Sequence, residues 1–216
     1  GGNAGIRFTI TKETQDSFYA MFELCEELKV DKLYISHLVY SGRGKDNLEI
    51  DISKEQRRKY VEFIIDKAFE YYKNGNNIDL VTGNMEMDAI MLLDRFKKEY
   101  PDFVETLEQK LKAWGGNSAG YRLGNMDWAG NVKPDPFFPF VVGNYLETPF
   151  DEIWTSSSND ILNKLREHPR QIKGRCAQCK YIEICNGGSR SRAYAISGDL
   201  WEEDPSCYLT LEETRR

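Results

Sequence analysis

The sequence predicts an α/β fold in two parts: a partial (β/α) barrel over residues 1–113, followed by a small cysteine-rich domain over residues 114–216. The first observation behind this prediction is an alternation of strand-like and helix-like stretches, which is typical of parallel strands joined by crossover helices. The second is a change of composition beyond Trp114, where Gly, Asn and Pro become frequent. The third is the position of the cysteines, four of which lie near the C-terminal end.

Three strand–helix units make up the first part. The predicted strands are rich in β-branched and aromatic residues and span residues 6–11, 32–39 and 78–82. The helices predicted between and after them have apolar residues at helical spacing and span residues 14–30, 54–74 and 88–114. Three units make half of an eight-stranded barrel or a small open sheet. Because the chain starts abruptly, without Met, we expect a fragment of a barrel whose earlier strands lie outside this sequence.

Local signals set the boundaries of these helices. Ser53 followed by Gln56 predicts a capping box at the start of the second helix, and Gly75 predicts its end. Pro101 predicts a break or kink in the third helix, because proline cannot donate a backbone hydrogen bond.

The second part is predicted to contain shorter elements. Residues 127–131 (DWAGN) predict a hairpin turn. Residues 150–166 predict one helix that begins near Asp151. The aromatic run 137–140 (FFPF) is predicted to be core or interface rather than a wall on which a flat ligand stacks.

Composition and charge exclude several classes of protein. The net charge of -6 argues against wholesale nucleic-acid binding, which needs a basic surface. No apolar run approaches the ~18 residues of a membrane span, and the first residues lack the basic and apolar regions of a signal peptide. Five cysteines make a poor disulfide framework. We therefore expect a protein of the reducing cytoplasm, without membrane or nucleic-acid partners.

Positive charge is concentrated in one segment of this acidic chain. Residues 164–192 contain eight basic and two acidic residues. Cations near clustered thiolates would offset their negative charge, and they would also suit an anionic substrate or an acidic electron donor. Arg190 and Arg192 follow three of the cysteines and are expected mainly to stabilise that charge, rather than to hold a substrate carboxylate.

Four cysteines have the spacing of a metal centre, Cys176-x2-Cys179-x5-Cys185-x21-Cys207. A tight turn brings two cysteines three residues apart onto one centre, and the other two complete a four-thiolate site. Such a site suits Zn²⁺ or an iron–sulfur cluster. The five-residue gap is unlike a zinc ribbon, so the spacing favours a cluster without excluding zinc. The fifth cysteine, Cys25, lies on an apolar helix face and is predicted to be a core residue.

The cysteine pattern resembles the second auxiliary cluster of the SPASM domains that follow radical S-adenosylmethionine (SAM) barrels. Members with two auxiliary clusters have another cysteine four positions beyond the third one, where this chain has Ser189. The upstream frame is kept in residues 118–120 (SAG), 127–132 (DWAGNV) and 134–135 (PD), but the thiolate ligands of the other cluster are absent. The resemblance therefore implies one auxiliary [4Fe–4S] cluster, bound by Cys176, Cys179, Cys185 and Cys207.

Four strings resemble the tetrapyrrole-modifying branch of these enzymes, which acts in heme d1 and alternative heme biosynthesis: residues 37–44 (HLVYSGRG), 115–120 (GGNSAG), 124–127 (GNMD) and 185–209. The likeness covers nearly the whole chain. The C-x3-C-x2-C sequence of the radical-generating cluster is absent. The resemblance implies that it lies in an N-terminal half outside this sequence, so this chain alone is not expected to cleave SAM.

The resemblance also implies a reaction and its partners. In the family, a barrel cluster reduces SAM to a 5′-deoxyadenosyl radical that abstracts hydrogen from the substrate, and in the tetrapyrrole branch a side chain is then lost. The intact enzyme is thus expected to bind SAM, a second [4Fe–4S] cluster, a siroheme-derived tetrapyrrole and a reduced ferredoxin or flavodoxin-like electron donor. The auxiliary cluster would accept or relay an electron. Gly187 and Gly188 would let backbone N–H groups approach that cluster, or form a simple turn.

Six further residues are candidate site residues, mostly because they lie at strand ends, which face the active site in a barrel. His37 would ligate a substrate iron or transfer a proton, or be a structural histidine. Tyr40 and Arg43 share the loop that follows it, and Arg43 would bind a substrate carboxylate or be a solvated surface residue. The candidates for SAM contacts are Thr9, Thr11 and Asn84.

Two other functions stay open at this point. A peptide-modifying radical SAM enzyme with a SPASM domain would have the same cysteine frame, although the tetrapyrrole strings argue against it. A non-catalytic four-cysteine zinc module would also have four clustered cysteines, and the identity of the metal separates it from both enzymes.

Overall fold

The computed structural model describes residues 4–215, with the side chain of Arg43 excepted. Its N-terminal region contains three parallel strands in the order β1-β2-β3, joined by crossover helices. The strands are β1 (Gly5–Ile10), β2 (Lys32–His37) and β3 (Asp79–Gly83). The helices are α1 (Phe18–Leu28), α2 (Lys54–Asn74), α3 (Asp88–Glu99) and α4 (Val104–Trp114).

The two faces of this sheet differ in chemistry. Alternate side chains of β2, Leu33 and Ile35, are buried in one apolar cluster with Phe22 of α1 and Ile64 of α2. The opposite face is more polar, because Ser36 lies there and its hydroxyl is 2.8 Å from that of the neighbouring strand's Thr9. The sheet therefore packs on its helices with one face and presents hydroxyl groups on the other.

The boundaries predicted for the second helix and the break predicted in the third are confirmed, whereas the first helix is shorter than predicted because a 3-10 turn, Gln15–Ser17, precedes it. The Ser53 hydroxyl accepts from the Gln56 N–H at 3.2 Å, and the Gln56 side chain accepts from the Ser53 N–H at 3.1 Å, which completes the capping box. Gly75 ends α2 in a left-handed conformation, with φ 68°. The helix predicted over residues 88–114 is divided at Pro101, which begins a short 3-10 turn between α3 and α4.

The C-terminal region contains a small antiparallel sheet of β4 (Asn125–Met126), β5 (Asn131–Lys133) and β6 (Gly143–Asn144). The predicted hairpin joins β4 to β5: the Asp127 N–H donates to the Asn131 carbonyl at 3.0 Å. The Asp127 carboxylate caps the turn by accepting from the N–H of Ala129 and of Asn131, both at 3.0 Å. Gly130 has φ 79°, a conformation that favours glycine.

The single helix predicted over residues 150–166 is wrong. Two short helices stand there, α5 (Phe150–Thr155) and α6 (Asp160–Arg166). The serine run that follows Thr155 leaves the helical conformation, and the Asn159 side chain caps α6 by accepting from the Leu162 N–H at 3.1 Å. Short polar side chains compete with the backbone for hydrogen bonds, so they end one helix and start the next. Three further helices follow, α7 (Ile182–Cys185), α8 (Arg190–Ser197) and α9 (Leu211–Thr214).

One apolar cluster is shared by the two regions. It contains Ile65 of α2 and Ile90 of α3, and it also contains Ile184 and Tyr208 of the cysteine-rich region. The boundary predicted after residue 113 remains a prediction, since α4 ends at Trp114 but the core continues across it. None of the described helices is long and apolar enough to cross a membrane.

Candidate cysteine centre and its junction with the barrel

Short turns position the four C-terminal cysteines. Cys176 lies in the 3-10 turn Gly174–Gln178, and its carbonyl accepts from the Cys179 N–H at 3.2 Å. Cys185 ends α7, where its N–H donates to the Tyr181 carbonyl at 3.1 Å. Cys207 comes from the loop before α9, and its N–H donates to the Asp204 carbonyl at 3.1 Å.

All four thiols are buried and each lies within electrostatic range of others. The pKa of Cys176 is raised to about 12, chiefly by burial and in smaller part by negative charge on Cys207 and Cys179. Burial raises the pKa of Cys185 well above its usual value, with Cys176, Cys207 and Cys179 as neighbours that raise it further. Buried thiolates that repel one another are stable only beside positive charge, so this donor set fits a four-thiolate metal centre.

No group of three or more His, Cys, Asp or Glu side chains within residues 4–215 is close enough to hold a single metal ion. The four cysteines are therefore not arranged as a preformed site for one ion. A single tetrahedral ion would require sulfurs about 3.8 Å apart, whereas a cluster binds each thiolate at a different iron. The ligand set Cys176, Cys179, Cys185 and Cys207 stays a prediction.

The backbone after Cys185 is left-handed at three successive residues: Asn186, Gly187 and Gly188 have φ of 50°, 83° and 68°. The Gly187 N–H donates to the Cys185 thiol and lowers its pKa against the larger effect of burial. A Cβ at Gly187 would lie 2.6 Å from Ile172, and one at Gly188 would lie 2.6 Å from the Asp204 carboxylate. Glycine is therefore required at both positions, for close packing and for backbone conformation.

Buried arginines surround the cysteines. The Arg192 guanidinium binds the Asp204 carboxylate at 2.7 Å, with both side chains almost completely buried. Arg190 donates to the carbonyls of Leu200 and Glu202 at 2.8 and 2.5 Å and lies within electrostatic range of Cys176. Arg190 therefore places positive charge beside Cys176, whereas the charge of Arg192 is matched by Asp204. That these two cations stabilise the charge of the cysteines stays a prediction.

Arg175 connects two of the cysteine-bearing segments. It precedes Cys176, and its guanidinium donates to the carbonyls of Cys207 and Leu209 at 3.0 and 2.8 Å. Its positive charge lowers the pKa of Cys207, although burial is the larger effect and the net shift is upward. One side chain therefore links the first and the last cysteine of the set.

His37 is buried at the end of β2. Its Nε2 is 3.1 Å from the Asp88 carboxylate at the start of α3. The other oxygen of Asp88 accepts from the Tyr208 hydroxyl at 2.8 Å. Burial, and then the Asp88 charge, raise the pKa of Tyr208 well above its usual value, so the phenol stays a donor.

Tyr40 is also buried, and it lies at a second junction with the C-terminal loop. Its hydroxyl donates to the Asp51 carboxylate at 2.5 Å and is 3.0 Å from the Ser206 hydroxyl. Arg57 closes this junction: it binds Asp51 through both oxygens at 2.7 Å and donates to the Ser206 carbonyl at 3.2 Å. Burial raises the pKa of Tyr40, with the hydrogen bond to Asp51 as a second cause.

The predicted SAM contacts lie at the carboxyl ends of the outer strands. Thr9 bonds to Ser36, and the Thr11 hydroxyl is 3.1 Å from that of Thr14. Asn84 follows β3 with φ 63° and lines a cavity of about 280 Å³. That cavity also contains Glu86, one buried carboxylate oxygen of which has no hydrogen-bond partner among the described residues. The side chain of Arg43 lies outside the described part of the chain.

Reasoning from the sequence missed the acidic residues of these junctions, Asp51, Asp88 and Asp204. The separation between acid and partner differs among them, from 6 residues for Asp51 and Arg57 to 120 for Asp88 and Tyr208, so no common local pattern marks them. The proximity of Asp204 to Cys207 was the one available signal. Two expectations of core positions are confirmed, because Cys25 and Phe138 are buried in apolar clusters.

Two relatives have similar sequences. The chain is 40% identical over 217 residues to pre-heme d1 synthase of Dinoroseobacter shibae, an alignment that covers 99% of this chain and 54% of that protein. It is 36% identical over 217 residues to Fe-coproporphyrin III synthase of Methanosarcina barkeri, with the same two coverages. The chain thus spans about half the length of the curated relatives it matches, and no family model matches it. The predicted resemblance to tetrapyrrole-modifying enzymes is confirmed.

Two solved structures have a similar fold. SuiB of Streptococcus suis bound to S-adenosylmethionine superposes with a TM-score of 0.63 at 18% identity, over 96% of this chain and 45% of that one. The protein anSMEcpe with bound AdoMet superposes with a TM-score of 0.61 at 16% identity, over 94% of this chain and 49% of that one. At these identities the likeness shows the fold alone. It confirms the predicted α/β class, a partial radical SAM fold.

Proposed function

We propose that this chain forms the C-terminal part of an enzyme that removes side chains from a siroheme-derived tetrapyrrole. The premise is that the chain has a partial radical SAM fold and matches half the length of tetrapyrrole-modifying relatives. The enzyme acts in heme d1 or alternative heme biosynthesis. The chain holds one auxiliary [4Fe–4S] cluster in a SPASM-like domain. The observation that supports this most is the set of four buried thiols that lie within electrostatic range of one another.

Each cysteine would bind one iron of the cluster, and the surrounding residues suit that role. When bound, the cluster supplies one-electron transfer from the substrate radical. The backbone N–H of Gly187 lowers the pKa of Cys185 and would stabilise negative charge on its sulfur. Arg190 and Arg175 add positive charge beside Cys176 and Cys207. Burial excludes water from the sulfurs.

The barrel end would bind SAM and substrate. Thr9, Thr11 and Asn84 would contact SAM at the strand ends. His37, Tyr40 and Arg43 would be the catalytic residues that act on the substrate. SAM cleavage needs a second cluster, and Cys25 is the one cysteine outside the four, so this polypeptide alone would not cleave SAM. A reduced ferredoxin or flavodoxin-like protein would supply electrons.

Metal content tests the proposal directly. After anaerobic purification and reconstitution, we expect a brown protein with about four irons and four sulfides per chain. Replacing Cys207 by Ser should lower the iron content, whereas the matched Cys25→Ser change should not, because Cys25 lies in the barrel core. A colourless protein with one zinc would contradict the proposal and favour the zinc module. The intact enzyme should then release a side chain from siroheme-derived substrates in the presence of SAM.

A further inference from the structure

We propose that His37 and Tyr40 are positioning residues for Cys207, because they hold both of its sequence neighbours from the barrel side. This inference rests on the proposed role of Cys207 as a cluster ligand. The hydrogen bonds of His37 and Tyr40 couple the end of strand β2, which faces the substrate side of a barrel, to the fourth cysteine of the metal centre. Cys207 would then move when the barrel end moves.

Two sets of hydrogen bonds hold the neighbours of Cys207; we call each set an arm and the two together the clamp. The first arm contains Tyr208, the residue after Cys207. Its hydroxyl donates to Asp88 at 2.8 Å, and Asp88 is 3.1 Å from Nε2 of His37. All three side chains are buried, with exposed fractions of 4%, 6% and 1%. Among the described residues, Asp88 is the only hydrogen-bond partner of the His37 ring. The arm is therefore an unbranched chain from β2 to the C-terminal loop.

The second arm runs through Ser206, the residue before Cys207. The Tyr40 hydroxyl contacts the Ser206 hydroxyl at 3.0 Å and Asp51 at 2.5 Å. Arg57 donates to the Ser206 carbonyl and binds Asp51, so the main chain and the side chain of Ser206 are both held. Tyr40, Arg57 and Ser206 are buried.

These two arms explain how Cys207 is held in position although it lies in no helix or strand. Cys207 lies in a loop before α9, a helix of four residues. In contrast, Cys185 ends a helix and Cys176 lies in a 3-10 turn. When one partner of a buried hydrogen bond is lost, the other is left unpaired away from water, which costs free energy. Each arm therefore holds its segment in place.

Cysteine alkylation in the metal-free chain tests the clamp without using activity. Iodoacetamide labelling of each cysteine would be followed by mass spectrometry in Tyr40→Phe, Tyr208→Phe and the double variant. Each change removes one hydroxyl and keeps the ring. We expect Cys207 labelling to rise about tenfold in the double variant, with a smaller rise in each single one. Labelling of Cys25 should not change.

The matched control is Tyr71→Phe. Tyr71 is equally buried, and its hydroxyl donates to the Glu26 carboxylate at 2.6 Å, far in sequence from the four C-terminal cysteines. Unchanged Cys207 labelling in the double variant would overturn the inference. So would an equal rise at all five cysteines, because the hydroxyls would then support the fold and not Cys207. Failure of the cluster proposal would appear separately, in the iron count.

A second measurement addresses the iron-loaded protein. In the double variant, the electron paramagnetic resonance signal of the reduced cluster should shift, because one ligand is held differently. The Tyr71→Phe protein should retain the parent signal. Identical spectra in all variants, together with unchanged labelling, would assign His37 and Tyr40 to the barrel alone.

Discussion

The two regions of this molecule are stabilised by different means. The barrel region packs long regular elements around apolar side chains: α2 has 21 residues, and the sheet buries Leu33 and Ile35 against its helices. The C-terminal region has helices of four to eight residues. Its interior contains the buried cations Arg170, Arg190 and Arg192, which bind backbone carbonyls and Asp204.

This difference follows from the number of backbone groups that each region leaves unpaired. A helix leaves about four carbonyls without internal partners at its end, so a region of short helices has many of them. Arg170 donates to the carbonyls of Leu165 and Asn117 at 2.8 and 2.9 Å, and Arg190 donates to others. Charged side chains thus replace regular hydrogen bonding around the cysteines. Hydrophobic periodicity therefore predicts the elements of the barrel region but not those of the C-terminal region.

The largest effect is expected from breaking the polar interior of the C-terminal region. Asp204→Asn leaves Arg192 buried without its charge partner, and it also weakens the bonds that Asp204 accepts from the N–H of Ser189 and Ser206 at 2.8 and 3.0 Å. We expect a loss of about 3–5 kcal/mol in the free energy of unfolding. Denaturant titration measures it, and hydrogen exchange should rise first around residues 185–209.

The matched control is Asp199→Asn, since Asp199 pairs with Lys173 at the surface. This change should leave the free energy of unfolding unaltered. If both substitutions lowered the free energy of unfolding equally, the buried Arg192–Asp204 pair would stabilise the C-terminal region no more than a surface ion pair does.

A somewhat smaller effect is expected in the barrel region. Leu33→Ala removes a fully buried side chain between the sheet and α1, which should cost about 3 kcal/mol through lost burial and the cavity that remains. Hydrogen exchange should rise in β1 and β2. Leu28→Ala, at an exposed position of α1, is the control and should have little effect. A parallel rise of exchange in the C-terminal region would mean that the shared apolar cluster makes one cooperative unit.

The smallest effect concerns a buried acid of the C-terminal region. The pKa of Asp135 is raised to about 6, chiefly by burial and in smaller part by the nearby Glu86 charge. Because the folded pKa lies above the unfolded one, near ~3.9, Asp135 contributes stability that is present below pH 4 and is lost as the pH rises through 6. We expect this loss to be roughly 1–3 kcal/mol between pH 4 and 7.

Asp135→Asn should flatten that part of the stability profile, since an amide does not titrate and still accepts from the Phe137 N–H. Urea unfolding of the two proteins at several pH values between 4 and 7 measures the difference. Parallel profiles for the parent and Asp135→Asn would contradict the raised pKa.

The sequence by itself determined the elements whose signals are local. The capping box of Ser53 and Gln56, the left-handed end at Gly75 and the break at Pro101 all depend on residues within one helical turn. The same holds for the Asp127–Asn131 hairpin and for the burial of Cys25 on its apolar helix face. The division of residues 150–166 was missed because the polar run near Asn159 competes with helical periodicity.

Only the tertiary structure decided what surrounds the cysteines. Their spacing predicted a shared centre, but the ion pair of Arg192 with Asp204 spans 12 residues, and the bonds of Asp88 to His37 and Tyr208 span 51 and 120. Such pairs form because a buried charge or hydroxyl must find a partner wherever the fold supplies one. Periodicity and spacing describe the chain along its length, whereas these partners are chosen by packing across it.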